Sequence, residues 1–569
     1  MGHNAGHSIG LGALVTLTLA GLHCGGTGGA AGARSMAKTI AKMDQVGQYR
    51  VFERSFENDN SYANKLADVE LRSTYTTPSG RKVEFIGFYD GDGQGGGDAH
   101  SGNVWRLRFM PDELGQWSYA WSWSDGTPGG EDVFESVSAG AGAGVLRPYQ
   151  ANSLWFAYNG TQPVWIKSYY ESGHGAIAQP FDWITANVYQ PMLDRGYNHL
   201  QVNWLLSLCC ADQWYTDGPP QSTTDLMLYQ SGQPSSTMRF DVWQMMERHV
   251  AWLNDRNVGL HMFLGFEGGR NGGPDWGSLS DPEKDFFVRY VVARLAPFAN
   301  IAGWNFNWEV PGDRSTHELG WAQLVEKYDV FNHLRTYEDQ KPSANEYQRA
   351  EYTFAGIENQ GMSVSAKLPY SHHLASLVSY VPGKPVFMME GNGLWNRYWG
   401  AAPDTIRQSA WATVTAGASF TWNGHQGAVA AGLPLTAHGP QGLPFYGDEN
   451  PNAATARQID VLAKVMTEEV SFARMSPQDA LLSGHSAQFV WCLAEPGAQY
   501  LVFASAGGPF TLTLAPGQYR NNVWIDAKTG AAQPIAAIES TDEAPQAFTP
   551  PDTLTDWVLV LRTGDPAPQ

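Results

Sequence analysis

From about residue 149 to 473, short apolar runs alternate with amphipathic segments of helical length, and this alternation restricts the possible fold most strongly. It is typical of βα units that build a parallel sheet. Eight such runs match a (β/α)₈ barrel in number and length. An open doubly wound sheet is the alternative, but no Gly-x-Gly-x-x-Gly follows any run. The predicted strands are Val164–Tyr169, His199–Leu205, Gly259–Phe266, Ile301–Val310, a weak run near Ser343–Glu346, Phe354–Asn359, Pro385–Glu390 and Ala418–Trp422.

Runs typical of β-strands lie on both sides of this segment, and Gly-, Asp- and Pro-rich turns separate them. Examples are Val104–Phe109 and Trp117–Trp123 before it, and Gln499–Ala504 after it. Each flank therefore predicts a β-sandwich, and an immunoglobulin-like one is the natural architecture for the first. The predicted parts are a signal peptide with a glycine-rich tether (1–45), an N-terminal immunoglobulin-like β-sandwich (46–148), the barrel (149–473) and a C-terminal β-sandwich (474–569).

Charge and cysteine content narrow the classes of ligand. The formal net charge of −20 disfavours nucleic acid and anionic membrane surfaces, since both favour clustered Lys and Arg. A highly anionic polymer is a less natural substrate than a neutral one for the same reason. The four cysteines are too few for a disulfide scaffold, and no Cys/His spacing resembles a zinc site. We expect neither a metal nor a cofactor.

The first residues resemble an export signal. The apolar run Ile9–Leu22 is too short to span a membrane stably, and Cys24 with a glycine-rich tether follows it. A cysteine in this position resembles a bacterial lipoprotein signal and predicts a lipid anchor in the outer membrane at Cys24. Cleavage near Ala31 or Ala33 by an ordinary signal peptidase is the alternative. Either way we expect an exported protein, periplasmic or on the cell surface, whose oligomeric state the sequence leaves open.

Two of the predicted strands carry a glutamate at their carboxyl-terminal end, Glu309 in strand four and Glu390 in strand seven. In a (β/α)₈ barrel the active site lies at these carboxyl-terminal strand ends. A glycoside hydrolase needs one protonated carboxyl group for the leaving oxygen and one carboxylate at the anomeric carbon. Two such glutamates about 5–5.5 Å apart give retention of configuration. We therefore predict that Glu309 and Glu390 are catalytic.

Aromatic and amide side chains near the strand ends are the predicted substrate-binding groups. Sugars present flat C–H faces and a rim of hydroxyl groups, which such side chains recognise. Glu267, after strand three, is a rival carboxylate for a place in the pocket, whereas Glu346 and Glu358 are expected to be solvated. The predicted substrate-binding residues are Trp165, Asn203, Trp204, Glu267, Asn307, Trp308, Trp395 and Trp422.

Glutamates that end strands four and seven resemble the large clan of retaining (β/α)₈ glycoside hydrolases that includes many cellulases and galactosidases. By this resemblance Glu309 is the acid/base, Glu390 is the nucleophile, and Trp422 is the aromatic platform under the reacting sugar. The chain departs from the clan at one point. The clan usually has Asn directly before the acid/base, and this chain has Trp308 there, with Asn307 one position earlier.

The whole layout is similar to a narrower group, the three-module bacterial cellulase-like glycoside hydrolases. Their N-terminal pattern is present as Gly87-Phe-Tyr-Asp-Gly91, Arg108-Phe-Met-Pro111 and Gly115-Gln-Trp117. A C-terminal module labelled collagen-binding is matched by Gln499-Tyr-Leu-Val-Phe503 and Trp557-Val-Leu559. The resemblance implies a hydrolase of a polysaccharide or oligosaccharide. The rival functions are a non-catalytic surface carbohydrate-binding or adhesion protein, which Trp308 favours, and a polysaccharide lyase.

Overall fold

A parallel barrel stands at the centre of the molecule. The computed structural model describes residues 43–140, 142, 144–171, 181–202, 204–206, 228–230, 233–264, 276–307, 315–340, 343–359, 368–394, 402–422, 453–485 and 489–564. The barrel strands, numbered one to eight in ring order, are Ser168–Glu171, His199–Val202, Gly259–Phe263, Ile301–Asn305, Leu334–Thr336 with Glu338–Asp339, Ala355–Asn359, Val386–Gly391 and Ser419–Trp422. The pairing between neighbours is parallel. The predicted fold class is therefore confirmed.

Strand five closes the ring as two segments. Leu334–Thr336 pairs with strand four, whereas Glu338–Asp339 pairs with strand six. The position predicted for this strand, near Ser343–Glu346, is wrong, because the helix Ala344–Tyr347 lies there. Strand five begins instead at Leu334, within the segment Ser315–Tyr337, whose amphipathic pattern predicts a single helix.

The helices pack around the outside of the barrel, and two π-helical segments, Thr185–Tyr189 and Val465–Glu469, accompany them. Within the described residues no helix combines the length and the hydrophobicity that a bilayer span requires. Among the described residues the helices are Phe181–Ile184, Gln190–Asp194, Pro234–Thr237, Phe240–Asn254, Asp281–Leu295, Ser315–Tyr328, Ala344–Tyr347, Leu368–Ser379, Pro403–Thr415 and Ala453–Lys464.

Contacts across the barrel identify the side chains that point inward. His199 and Phe387 lie on strands two and seven, which are not neighbours, yet their ring centroids are 5.3 Å apart. His261 on strand three lies 5.8 Å from Phe387, and Ser168 Oγ lies 2.8 Å from His199 Nδ1. Because side chains alternate along a strand, these contacts fix the inward positions. Burial lowers the pKa of His199 to about 3, so this inward imidazole is neutral.

A small antiparallel sheet of Leu146–Pro148, Phe156–Tyr158 and Gln162–Pro163 covers the amino-terminal end of the barrel. Its apolar side chains pack against residues at or near the starts of strands four to seven. The carboxyl-terminal end is thus the end where a site can open. The buried cluster that forms this floor is Leu146, Phe156, Ile166, Ala302, Leu334, Phe354, Phe387 and Met389.

The N-terminal domain is a sandwich of a five-stranded and a three-stranded sheet. Aromatic rings hold the two faces together, since Phe52 stacks on Phe134 at 4.0 Å and Tyr75 on Phe109 at 3.8 Å. In sheet order the strands are Gln45–Gly47, Gly130–Val137, Gly115–Trp123, Leu71–Thr76 and Lys82–Ile86, and then Phe52–Glu57, Val104–Phe109 and Phe88–Tyr89.

The C-terminal domain is built from sheets of six, three and two strands around a separate apolar core. Phe510 and Trp524, on different sheets, meet with their ring centroids 6.0 Å apart. In sheet order the strands are Ser476–Pro477, Val490–Glu495, Gln499–Ala504, Trp557–Arg562, Asn522–Asp526 and Ala532–Ile535, then Leu482–Ser483, Phe510–Leu514 and Ala544–Phe548, and then Gly517–Tyr519 and Ile538–Ser540.

Candidate active site

Glu390 and Glu358 are register partners at the carboxyl-terminal ends of strands seven and six. Neighbouring strands lie about 4.8 Å apart, so paired residues of this kind bring their side chains close together. Glu358 is fully buried, and Glu390 is half-buried. The structure thus brings one predicted catalytic glutamate next to a second glutamate.

A bulge in strand seven aligns the two glutamates. Ile357 pairs with Met388, but the next residue, Glu358, pairs with Glu390, so Met389 is the extra residue. The Met389 side chain is buried in the apolar floor of the barrel. Bulges often re-aim a side chain next to an active site, and this one puts Glu390 in line with an inward-facing neighbour.

A third glutamate, Glu338, follows the break in strand five and is also fully buried. Tyr337 before it stacks on Tyr347 at 5.3 Å, on the outer side of the barrel. By alternation Glu338 faces inward, as Glu358 does. The expectation that Glu358 is solvated is therefore wrong. The position of Glu358 within a predicted apolar strand could have indicated that it is buried. Glu338 was missed because the sequence analysis placed strand five at the wrong residues.

Amide and imidazole groups line the interior beside the carboxylates. Gln201, His261 and Asn305 are buried, and their side-chain nitrogen and oxygen atoms make no hydrogen bond within the part of the chain that the structure describes. A buried polar group without a partner costs about 1–3 kcal/mol, so such groups call for water or a ligand. Burial, followed by the neighbouring His199, holds the pKa of His261 well below its usual value. His261 is therefore a neutral hydrogen-bonding group.

Three of the predicted substrate-binding tryptophans lie away from this interior. Trp422 is fully buried and contacts Tyr169 and Tyr197, with ring centroids 5.9 and 6.4 Å away. Its neighbour Thr421 bonds inward to Ser168, so Trp422 faces the surrounding helices.

Trp204 and Trp165 also pack outside the barrel interior. Trp204 is fully buried and lies 5.9 Å from His249 on the helix Phe240–Asn254. Trp165 precedes strand one, at the amino-terminal end, and its ring packs 5.3 Å from Phe472. Trp165 therefore lies away from the carboxyl-terminal end, and the Trp204 side chain faces a surrounding helix.

The strand-four end carries a conformational outlier. Asn307 has a left-handed φ of 77°, and its Nδ2 donates to Glu318 Oε1 at 3.2 Å on the helix Ser315–Tyr328. Non-glycine residues in this conformation are costly and cluster at functional sites.

The other predicted site residues, Glu309, Trp308, Asn203, Glu267 and Trp395, lie outside the described residues. Within the described residues no group of three or more His, Cys, Asp or Glu side chains could hold a metal ion.

Two family profiles match the ends of the chain. Residues 45–124 match DUF5060, a domain of unknown function, and residues 477–562 match the "Putative collagen-binding domain of a collagenase". Both matches cover the motifs that carried the predicted three-module resemblance, which is thereby confirmed. No curated protein matches the sequence.

The solved structures to which this chain is similar include glycoside hydrolases. A "putative glycoside hydrolase" from Bacteroides vulgatus ATCC 8482 superposes with a TM-score of 0.65 at 16% identity, over 91% of this chain and 100% of that one. A glycoside hydrolase family 5 structure from the same organism gives a TM-score of 0.56 at 17% identity, over 74% of this chain and 93% of that one. At identities this low, the superpositions show a common fold alone.

Proposed function

We propose that this protein is a retaining glycoside hydrolase that acts on a polysaccharide or oligosaccharide. The observation that carries the proposal is the half-buried Glu390 at the carboxyl-terminal end of strand seven, in register with the inward Glu358. A closed parallel barrel, the buried amide groups of Gln201 and Asn305, and the fold shared with glycoside hydrolases support it. The net charge of −20 fits a neutral sugar better than a polyanion.

In the proposed reaction Glu390 attacks the anomeric carbon as the bond from that carbon to the leaving oxygen breaks. Glu309 gives its proton to the leaving oxygen, and a glycosyl ester forms on Glu390. Water then attacks the same carbon and loses a proton to Glu309, which frees Glu390. Asn203, Glu267, Asn307, Trp308 and Trp395 remain proposed contacts of the sugar.

Single substitutions test the proposal. We expect E309Q to reduce kcat by about 10²–10⁴-fold, as loss of a general acid/base does, and E390Q to remove turnover. Product analysis on a panel of polysaccharides supplies the substrate for these assays. E358Q is the matched comparison, since Glu358 is the register partner of Glu390. Full activity in E390Q would defeat the proposal, and a loss in E358Q with none in E309Q would move the acid/base role to Glu358.

The same assays separate the rival functions. A carbohydrate-binding protein would retain affinity with no turnover in the unmutated chain. A lyase would release an unsaturated product that absorbs in the ultraviolet.

We also propose that the chain is exported and carries a lipid on Cys24, from the apolar run Ile9–Leu22 and the glycines after Cys24. Metabolic labelling with a fatty acid in a bacterial host should label the unmutated chain, and C24S should remove the label. A secreted, unlabelled protein processed near Ala31 or Ala33 would contradict the anchor while leaving export intact.

A further inference from the structure

One helix contacts the ends of both glutamate-bearing strands through two consecutive residues. On the helix Leu368–Ser379, Ser371 Oγ accepts a hydrogen bond of 2.9 Å from Nδ2 of Asn359, the residue after Glu358. The next residue, His372, lies under the turn that follows Glu390. This helix thus contacts the end of strand six and the turn after strand seven at the same time.

His372 contacts this turn as a neutral acceptor. The backbone N–H of Gly393 donates to His372 Nε2 at 3.3 Å, so Nε2 carries the lone pair. His372 is fully buried, and burial lowers its pKa to about 3. The imidazole therefore stays neutral and keeps its acceptor above about pH 3.

Two glycines allow the backbone of the turn after Glu390 to contact the His372 imidazole directly. A Cβ atom on Gly391 would lie 2.2 Å from His372 Cε1, and one on Gly393 would lie 2.2 Å from Ser409 Oγ and 2.9 Å from His372 Nε2. Distances this short exclude any side chain unless the ring, the Ser409 side chain or the backbone moves. The Gly391-Asn-Gly393 segment directly after Glu390 is therefore shaped to fit the imidazole.

We propose that His372, assisted by Ser371, is a positioning residue that fixes the carboxylate of Glu390 relative to Glu358. The inference rests on the proposed function, because it assigns the contact a role in orienting the nucleophile. The Nε2 contact holds the backbone three residues beyond Glu390, and the Ser371 contact holds the residue beyond Glu358. A displacement of about 1 Å at a reacting group can cost about 10²-fold in rate, so this contact governs turnover without touching the sugar.

The test compares H372L, which removes the acceptor, with H372Q, whose Oε1 can replace Nε2. We expect H372L to lower kcat by about 10–10²-fold with little change in KM, and H372Q to recover much of the loss. H373Q is the matched control, because His373 is also buried on this helix but contacts Asp479 of the C-terminal domain at 2.6 Å. We expect H373Q to lower the unfolding midpoint while the folded enzyme keeps its kcat.

If H372L does not fold, S371A and H372M carry the test, because methionine also lacks a nitrogen or oxygen acceptor for the Gly393 N–H. We expect kcat to fall more than KM changes in both. Unaltered kcat in a folded H372L, or in both S371A and H372M, overturns the positioning role. A parallel E390Q assay separates the two levels. Loss of turnover in E390Q with full kcat in H372L overturns only this inference, whereas full turnover in E390Q overturns the proposed function as well.

Discussion

The hydroxyl group of Thr336 spans the break in strand five. It donates to the carbonyl of Phe354 at 3.0 Å and accepts from the backbone N–H of Gly356 at 2.9 Å. Valine has the same shape but no hydroxyl, so T336V leaves a buried donor and acceptor unpaired. We expect T336V to lower the free energy of unfolding by about 1–3 kcal/mol in urea denaturation.

T336S is the control for this prediction, because serine retains the hydroxyl and loses only a methyl group. We expect T336S to cost about 1 kcal/mol. Equal stability of the valine and serine variants would show that the hydroxyl does not stabilise the junction between strand five and strand six. Glu338 and Glu358 lie on these two strands, next to that junction. We therefore expect T336V to lose kcat as well as stability.

At the scale of elements, the apolar runs of strands six, seven and eight predicted their positions to within one residue at each end. Strand five was missed because local side-chain bonds end the preceding helix at Tyr328. The Asp329 carboxylate accepts the backbone N–H of His333 at 3.2 Å, and Asn332 takes a left-handed φ of 54°. The helical pattern of the sequence continues through this turn, so it does not show where the helix ends. The next strand, Leu334–Thr336, has only three residues, which is too short to show an alternating pattern of its own.

One part of the candidate site could be predicted from the sequence, and another part could not. The position of Glu390 could be predicted because it ends a long apolar run, and such a run is typical of a barrel strand. Its alignment with Glu358 could not, because it depends on the extra residue Met389, and sequence alternation alone does not reveal a bulge. Trp422 illustrates the reverse error, since a strand-end aromatic can face the helices as readily as the interior.

At the scale of the whole molecule, buried ion pairs join the N-terminal sandwich to the barrel. Arg294, fully buried on a barrel helix, contacts Asp90 at 2.8 Å and Glu247 at 2.6 Å. Arg108 of the sandwich contacts Glu247 at 3.1 Å and Glu53 at 2.6 Å. Removal of one member of such a cluster leaves a buried charge uncompensated. The sandwich is therefore part of the folded core, as the single compact unit from Asp44 to Gln569 indicates.

A corresponding pair joins the barrel to the C-terminal domain. Arg407, on the helix Pro403–Thr415, contacts Asp556 at 2.6 Å, and both side chains are almost fully buried. Trp411 on the same helix stacks on Phe503 of the domain with ring centroids 5.7 Å apart. Both flanking domains thus contact helices of the barrel.

Acid pH should weaken the junction of the N-terminal domain. Burial alone raises the pKa of Glu247, but Arg108 and Arg294 outweigh it and hold the pKa at about 2, below the ordinary 4.5. The unfolded chain takes up this proton near pH 4.5 and the folded protein only near pH 2. The stabilisation is therefore complete above pH 4.5 and is lost as the pH falls from 4.5 towards 2.

We expect E247Q to lower the free energy of unfolding at neutral pH by about 3–5 kcal/mol, because two buried guanidinium groups lose their shared carboxylate. Its stability should also depend less on pH in the acid range, as measured by urea unfolding between about pH 2 and 7. E468Q is the control, since Glu468 is exposed and contacts Lys464 only at 3.8 Å. That variant should retain the wild-type curve. A wild-type acid slope in E247Q would mean that other carboxylates, and not this cluster, cause the acid sensitivity.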